Sequence, residues 1–210
     1  MYQHIESMIA EWPNGIPIFL KMFEKNVENE NQKNGKKSVK YQLKQAYMKT
    51  AETFAELSHA RRLHVGAIIV KDDRIISIGY NGMPAGWDNN CENIEWCSGG
   101  GWLSAEEIEE GWPYEGHYLD IDGNTMQGRY RLKTKPEVLH AETNAIAKLA
   151  RSTESGIGAN LFVTHSPCLD CAKLIYQSGI SHVWYRHSYR DDAGVNFLKN
   201  SGVNIEKLDT

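Results

Sequence analysis

Two short motifs constrain this chain more than anything else in it: His140-Ala141-Glu142, and Pro167-Cys168-Leu169-Asp170-Cys171. One imidazole and two thiols, separated by a helix-like and a strand-like segment, make sense together only in a fold that brings both motifs to the same end of one sheet. Zinc held by three protein ligands keeps a fourth position open, where water becomes nucleophilic near neutral pH. His140, Cys168 and Cys171 supply those three ligands. Glu142, two residues beyond the histidine, reaches the same place without being a ligand and can shuttle a proton. A purely structural zinc site would call for a fourth Cys or His and would leave Glu142 idle.

Local patterns agree. HAETNAIAKLARS places good helix formers after His140, so that His140 and Glu142 fall on a first helical turn. NLFVTHS, residues 160 to 166, reads as a buried strand, and CLDCAKLIYQSG as a helix stopped by Gly179. Pro167 suits a helix entry, and the N-terminal dipole there favours thiolate.

Elsewhere, residues 1 to 23 carry spaced apolar positions (Ile5, Met8, Ile9, Trp12) that predict a short helix and a turn. Residues 24 to 40 are polar and Asn/Lys-rich. We therefore divide the chain into an N-terminal extension and linker, 1–40, and a catalytic domain, 41–210. From Tyr41 to His59, apolar residues recur at helical spacing. VGAIIVK and RIISIGY, parted by Asp72-Asp73, predict an antiparallel hairpin. Residues 88 to 135, rich in Gly, Trp and acids, read as an insertion. After Gly179 the pattern predicts a strand, a helix over 191 to 201 and a final strand.

The 210 residues suit one main domain. No apolar run reaches membrane-spanning length and the N-terminus lacks signal-peptide character, so a cytoplasmic location is expected, within a host cell if the protein is phage-encoded. Four cysteines, two of them committed to the metal, argue against a disulfide framework. A net charge of −4 argues against a nucleic-acid footprint.

The order of elements resembles the cytidine deaminase fold, a three-layer α/β/α arrangement with a mixed sheet of about five strands. VGAIIV, GYNGMPAG (Gly79 to Gly86), HAETNAI, SPCLDCAKLI and QSGI narrow the likeness to the deoxycytidylate (dCMP) deaminases, and in particular to phage-like members. That resemblance implies zinc-dependent hydrolysis of dCMP to dUMP and ammonia, supplying dUMP for dTTP synthesis. It implies zinc on His140, Cys168 and Cys171, proton transfer by Glu142, and substrate contacts at Asn81, Ala141, Ser166, Pro167 and Tyr189. An effector site is implied at Gly79, Tyr80, Asn81, Gly82, Met83, Pro84, Gly86 and Arg151, with dCTP activating and dTTP inhibiting, usually with Mg2+, in a homohexamer.

Physical reading of the same residues leaves alternatives open. The Gly79–Gly86 segment can be a phosphate-binding turn or an ordinary one. Asn81 can read a sugar or base edge, or close an Asx turn. Arg151 can serve regulation or cap a helix C-terminus. Some phage members hold a second, structural zinc; here Ala60 stands near one expected cysteine, and Cys91-x5-Cys97 is a poor zinc spacing, so free thiols are expected instead. Trp87, Trp96, Trp102 and Trp112 can pack the insertion or stack a base. The alternative function is editing of a base in tRNA or single-stranded DNA, which an aromatic-rich insertion would suit.

Overall fold

The computed structural model describes residues 40–97 and 103–209. The readings at residues 1–39 and at Trp102 lie outside them. Helix α1 runs through residues 40–55. The chain divides into two compact units, Met1–Ala46 and Tyr47–Thr210. In the first, Gln45 donates to the Tyr41 hydroxyl one helical turn away (2.8 Å).

The second unit is built on a five-stranded mixed sheet. Its strands are β1 (Gly66–Lys71), β2 (Arg74–Tyr80), β6 (Asn160–His165), β7 (His182–His187) and β8 (Asn204–Lys207), in the order β2-β1-β6-β7-β8. β1 is antiparallel to both β2 and β6, whereas β6, β7 and β8 run parallel. The hairpin turns through Asp72 and Asp73, both with positive φ (50° and 56°). That is the type I′ geometry whose twist matches its strands.

Helices α3 (Ala141–Ala150), α4 (Leu169–Gln177) and α5 (Ala193–Asn200) cover one face of this sheet. There Ala145, Leu149, Ile175 and Leu198 pack on Ala67, Ile69, Leu161 and Val183. Met48 and Ala51 of α1 cover the other, against Ile68, Val70, Phe162 and Trp184. The layers are therefore α/β/α, as expected, and β1 is apolar from Gly66 to Val70 because both of its faces are buried there.

The insertion is more ordered than its composition predicts. β3 (Glu92–Trp96), β4 (Tyr114–Leu119) and β5 (Thr125–Thr134) form a separate antiparallel sheet in the order β3-β5-β4. Between β3 and β4 lies the short helix α2 (Ala105–Gly111), opened by a Ser104–Glu107 capping box. Trp96 packs on Tyr118 and Tyr130 (ring centroids 4.8 and 5.0 Å). Arg131 lies over Trp112.

Candidate active site

His140 and Cys168 occupy equivalent places, each the N-cap residue of its helix, with extended backbone (ψ 157° and 169°). Neither side chain caps its own helix, so both are free to turn toward a common point. Cys171 follows one turn later on α4, and α4 ends as Gly179 takes φ +77°. The His140 Nδ1 atom lies 3.5 Å from Cys168 Sγ and 3.3 Å from Cys171 Sγ. A tetrahedral ion with bonds of about 2.0 to 2.3 Å sets its ligands roughly 3.3 to 3.8 Å apart. The soft N/S donor set and its spacing therefore fit zinc. Among the described residues, these three form the one group of three or more His, Cys, Asp or Glu side chains with metal-ligand spacing.

The four side chains perturb one another electrostatically. Hydrogen bonds from Cys171 and then from His140 lower the Cys168 thiol to about 4. The same contact with Cys168, followed by burial, raises Cys171. His140 is raised chiefly by its hydrogen bond with Cys168, against its own burial. Glu142 is almost fully buried (4% exposed), and burial pushes its carboxyl up. A carboxyl whose hold on its proton is strengthened in this way can both take and return one.

The GYNG segment braces this wall. Gly79 and Tyr80 end β2, as the RIISIGY strand pattern predicts, and the turn follows from Asn81. A Cβ on Gly79 would overlap the Ala141 carbonyl and the Ala145 amide, so only glycine lets α3 lie this close. Asn144 donates to the Tyr80 carbonyl (2.9 Å). Gly82 and Leu139 exchange both backbone hydrogen bonds (3.1 and 2.9 Å). Asn81 is committed to the backbone, accepting from Val65 N–H and donating to the Leu63 carbonyl (2.8 Å each). Met83 packs beside Ala60, Cys91 and Val138, an apolar cluster that includes the position considered for a second zinc. Pro84 accepts from Trp87 N–H, and Gly86 has φ +86°. Arg151 is the exposed C-cap of α3.

A cavity of about 240 Å³ opens on the metal wall, lined there by His140, Ala141, Glu142 and Cys168. Asn81, Ser166 and Tyr189 line it too, and Ser166 Oγ accepts from Tyr189 N–H (2.8 Å). Pro167 is fully buried and is not among the lining residues; its carbonyl faces Gly194 of α5. Of the proposed effector positions, only Asn81 reaches the cavity. Four polar lining residues escaped the sequence reading: Arg62, Glu92, Thr134 and Arg190. Arg190 adjoins Tyr189 and was within reach of a motif; Glu92 and Thr134 come from the insertion and carry no sequence signal.

Comparison with known proteins agrees with this geometry. Residues 41–187 match the cytidine and deoxycytidylate deaminase zinc-binding region. The chain is 38% identical over 154 residues to the deoxycytidylate deaminase of Enterobacteria phage T4, covering 67% of this chain and 77% of that protein. It is 30% identical to the deoxycytidylate deaminase of Mus musculus, covering 77% of each. The crystal structure of a dCMP deaminase from cyanophage S-TIM5 in complex with dCMP and dUMP superposes with a TM-score of 0.60 at 40% identity, covering 79% of this chain and 96% of that one. No helix among the described residues is long and apolar enough to cross a membrane. With this sheet order, these three convergent ligands and these relatives, the chain belongs to the cytidine and deoxycytidylate deaminases, a family of hydrolytic enzymes.

Proposed function

We propose that this protein deaminates dCMP to dUMP with release of ammonia. The observation that carries the reading is the composition of one cavity: the His140–Glu142–Cys168 wall faces a space that also holds the guanidinium-bearing residues Arg62 and Arg190. Two cations suit a substrate bearing a phosphate, and so a nucleotide over a nucleoside. The names of the phage and mouse relatives, and the dCMP complex of the cyanophage protein, point to the same substrate.

His140, Cys168 and Cys171 would hold zinc, which supplies the Lewis acidity that makes water nucleophilic near neutral pH. Glu142 takes the proton of the attacking water, gives it to the pyrimidine N3 and then assists loss of the C4 amine as ammonia. Ala141, Ser166 and Tyr189 shape the base and sugar walls. Asn81, its side chain bonded to Leu63 and Val65, supports the pocket floor. Pro167 fixes the turn that presents Cys168.

We assign the product to dTTP synthesis in the cytoplasm, and regulation by dCTP and dTTP with Mg2+ to the Gly79–Gly86 turn and Arg151, in a homohexamer. Support for regulation is the likeness of GYNGMPAG to the family's effector loop, together with the direct bonding of Gly82 to Leu139. The test is loss of cytosine absorbance with zinc-loaded protein and dCMP, with and without dCTP, beside cytidine and single-stranded DNA. Turnover of dCMP, sigmoidal without dCTP and hyperbolic with it, supports both parts. Turnover of single-stranded DNA in place of dCMP would overturn the reading.

A further inference from the structure

His165 ends β6 and His187 ends β7, and the two are direct partners across this parallel pair, so their side chains leave the same face of the sheet. Their ring centres lie 5.1 Å apart, with the planes tilted by 42°. The ladder closes just beyond them, where Ser166 N–H donates to the His187 carbonyl (2.8 Å), so both backbones are held. Earlier on that face the same strands carry Leu161, Val163 and Val183, whose packing needs no nitrogen.

The pair is hydrogen-bonded on one side only. Thr164 Oγ1 lies 3.1 Å from His165 Nδ1, which leaves Nε2 as the free nitrogen of that ring. Among the described residues no hydrogen bond or ion pair engages the His187 ring. Burial first, and then the neighbouring His187, lower the His165 pKa, so its ring is uncharged near neutral pH and keeps a lone pair to give. A hydroxyl oxygen accepts twice, so Thr164 can take the Nδ1–H while it keeps the Gly66 N–H (3.2 Å). That is the support a metal-bound imidazole ordinarily has on its second nitrogen.

The spacing fits a single ion. With metal–nitrogen bonds of about 2.0 to 2.1 Å and about 1.1 Å from nitrogen to ring centre, two imidazoles on a tetrahedral ion have centres roughly 5.2 Å apart. His165 lines the cavity and His187 is exposed, so an ion and its waters reach the pair from solvent. We propose that His165 and His187 form a second metal site, distinct from the His140–Cys168–Cys171 triad, that takes a borderline divalent cation such as Zn2+ or Ni2+ through two imidazole nitrogens and completes its shell with water. It shares no residue with the cluster of Ala60, Cys91 and Val138.

In the experiment, protein carrying its catalytic zinc and dialysed free of excess metal is titrated with Zn2+ in a calorimeter. The wild type should take up one further equivalent. His187→Phe, which keeps a ring against His165 but offers no nitrogen, should lose that uptake. His117→Ala, at an exposed position on β4, should take up as much as the wild type. If His187→Phe does not fold, His187→Ala is judged by the same uptake. No further equivalent in the wild type, or undiminished uptake in the His187 variant, overturns the proposal. Loss of uptake in His117→Ala as well would mark scattered surface binding and overturn it too. Zinc content before the titration reports on the catalytic triad alone, so failure of that assignment and failure of this site are told apart.

Discussion

The five-stranded sheet and the inserted three-stranded sheet solve the problem of stability in opposite ways. Ile68, Ile69, Leu161, Val163 and Val183 of the first are sealed between helices. In the second, Leu132 is the buried apolar residue, while Ile94, Leu119 and Met126 face solvent. The inserted sheet relies instead on tilted rings packed around Trp96 and on Glu95 shared between Arg131 and Lys133 (2.8 and 2.9 Å). Both reach the same cavity: the large sheet and its helices present His140, Glu142 and Cys168, and the insertion presents Glu92 and Thr134. Reacting atoms need placement to a fraction of an ångström, which close packing supplies. Recognition of the rest of a substrate tolerates a looser wall.

Substitutions sharpen that contrast. Glu142→Gln, on the rigid wall, should cut kcat by about 10³-fold or more while zinc content stays at the wild-type level, and surviving turnover would remove the proton-transfer role. Cys168→Ala should abolish zinc retention, measured by elemental analysis after dialysis. In the wild type, acid should act in the same direction: Cys171 and His140 carry raised pKa values before metal enters, so zinc must displace their protons and its affinity falls as pH falls. Calorimetry in buffers of different ionisation enthalpy should register proton release at neutral pH; uptake would contradict the assignment.

Gly79→Ala drives a methyl into the backbone of α3 and should cost about 3 kcal/mol in denaturant unfolding, with little change if α3 can slide. Trp96→Ala should cost about 2 kcal/mol, since the ring is only half-buried, and should raise KM more than it lowers kcat. A larger effect on kcat would mean that the insertion bears on the chemistry. The smallest change is expected of Glu95→Gln, whose ion pairs are solvent-facing; its melting temperature should stay within error of the wild type, unless the Arg131–Glu95–Lys133 group acts as a unit.

The two regions also differ in how readable they were from residues alone. In the large sheet, periodicity, the Asp72-Asp73 turn and the Gly179 stop each reported a local fact that the tertiary structure keeps. β4 and β5 were hidden because their alternation mixes glycine, charge and aromatic rings, as in YEGHYL and GRYRLK, so the apolar face belongs to rings and not to aliphatic side chains. The metal triad was legible because its spacing is itself the constraint. Glu92, Arg62 and Thr134 were not, because they meet only through long-range pairing between 62, 92 and 134.

The paired bonds between Gly82 and Leu139 have a mechanical meaning. Leu139 is the residue before His140, so the turn after β2 and the imidazole behave as two ends of one short strut. Any displacement of that turn is transmitted through one hydrogen-bonded pair to the backbone that carries His140. For this molecule, the distance from touch to chemistry is a single peptide.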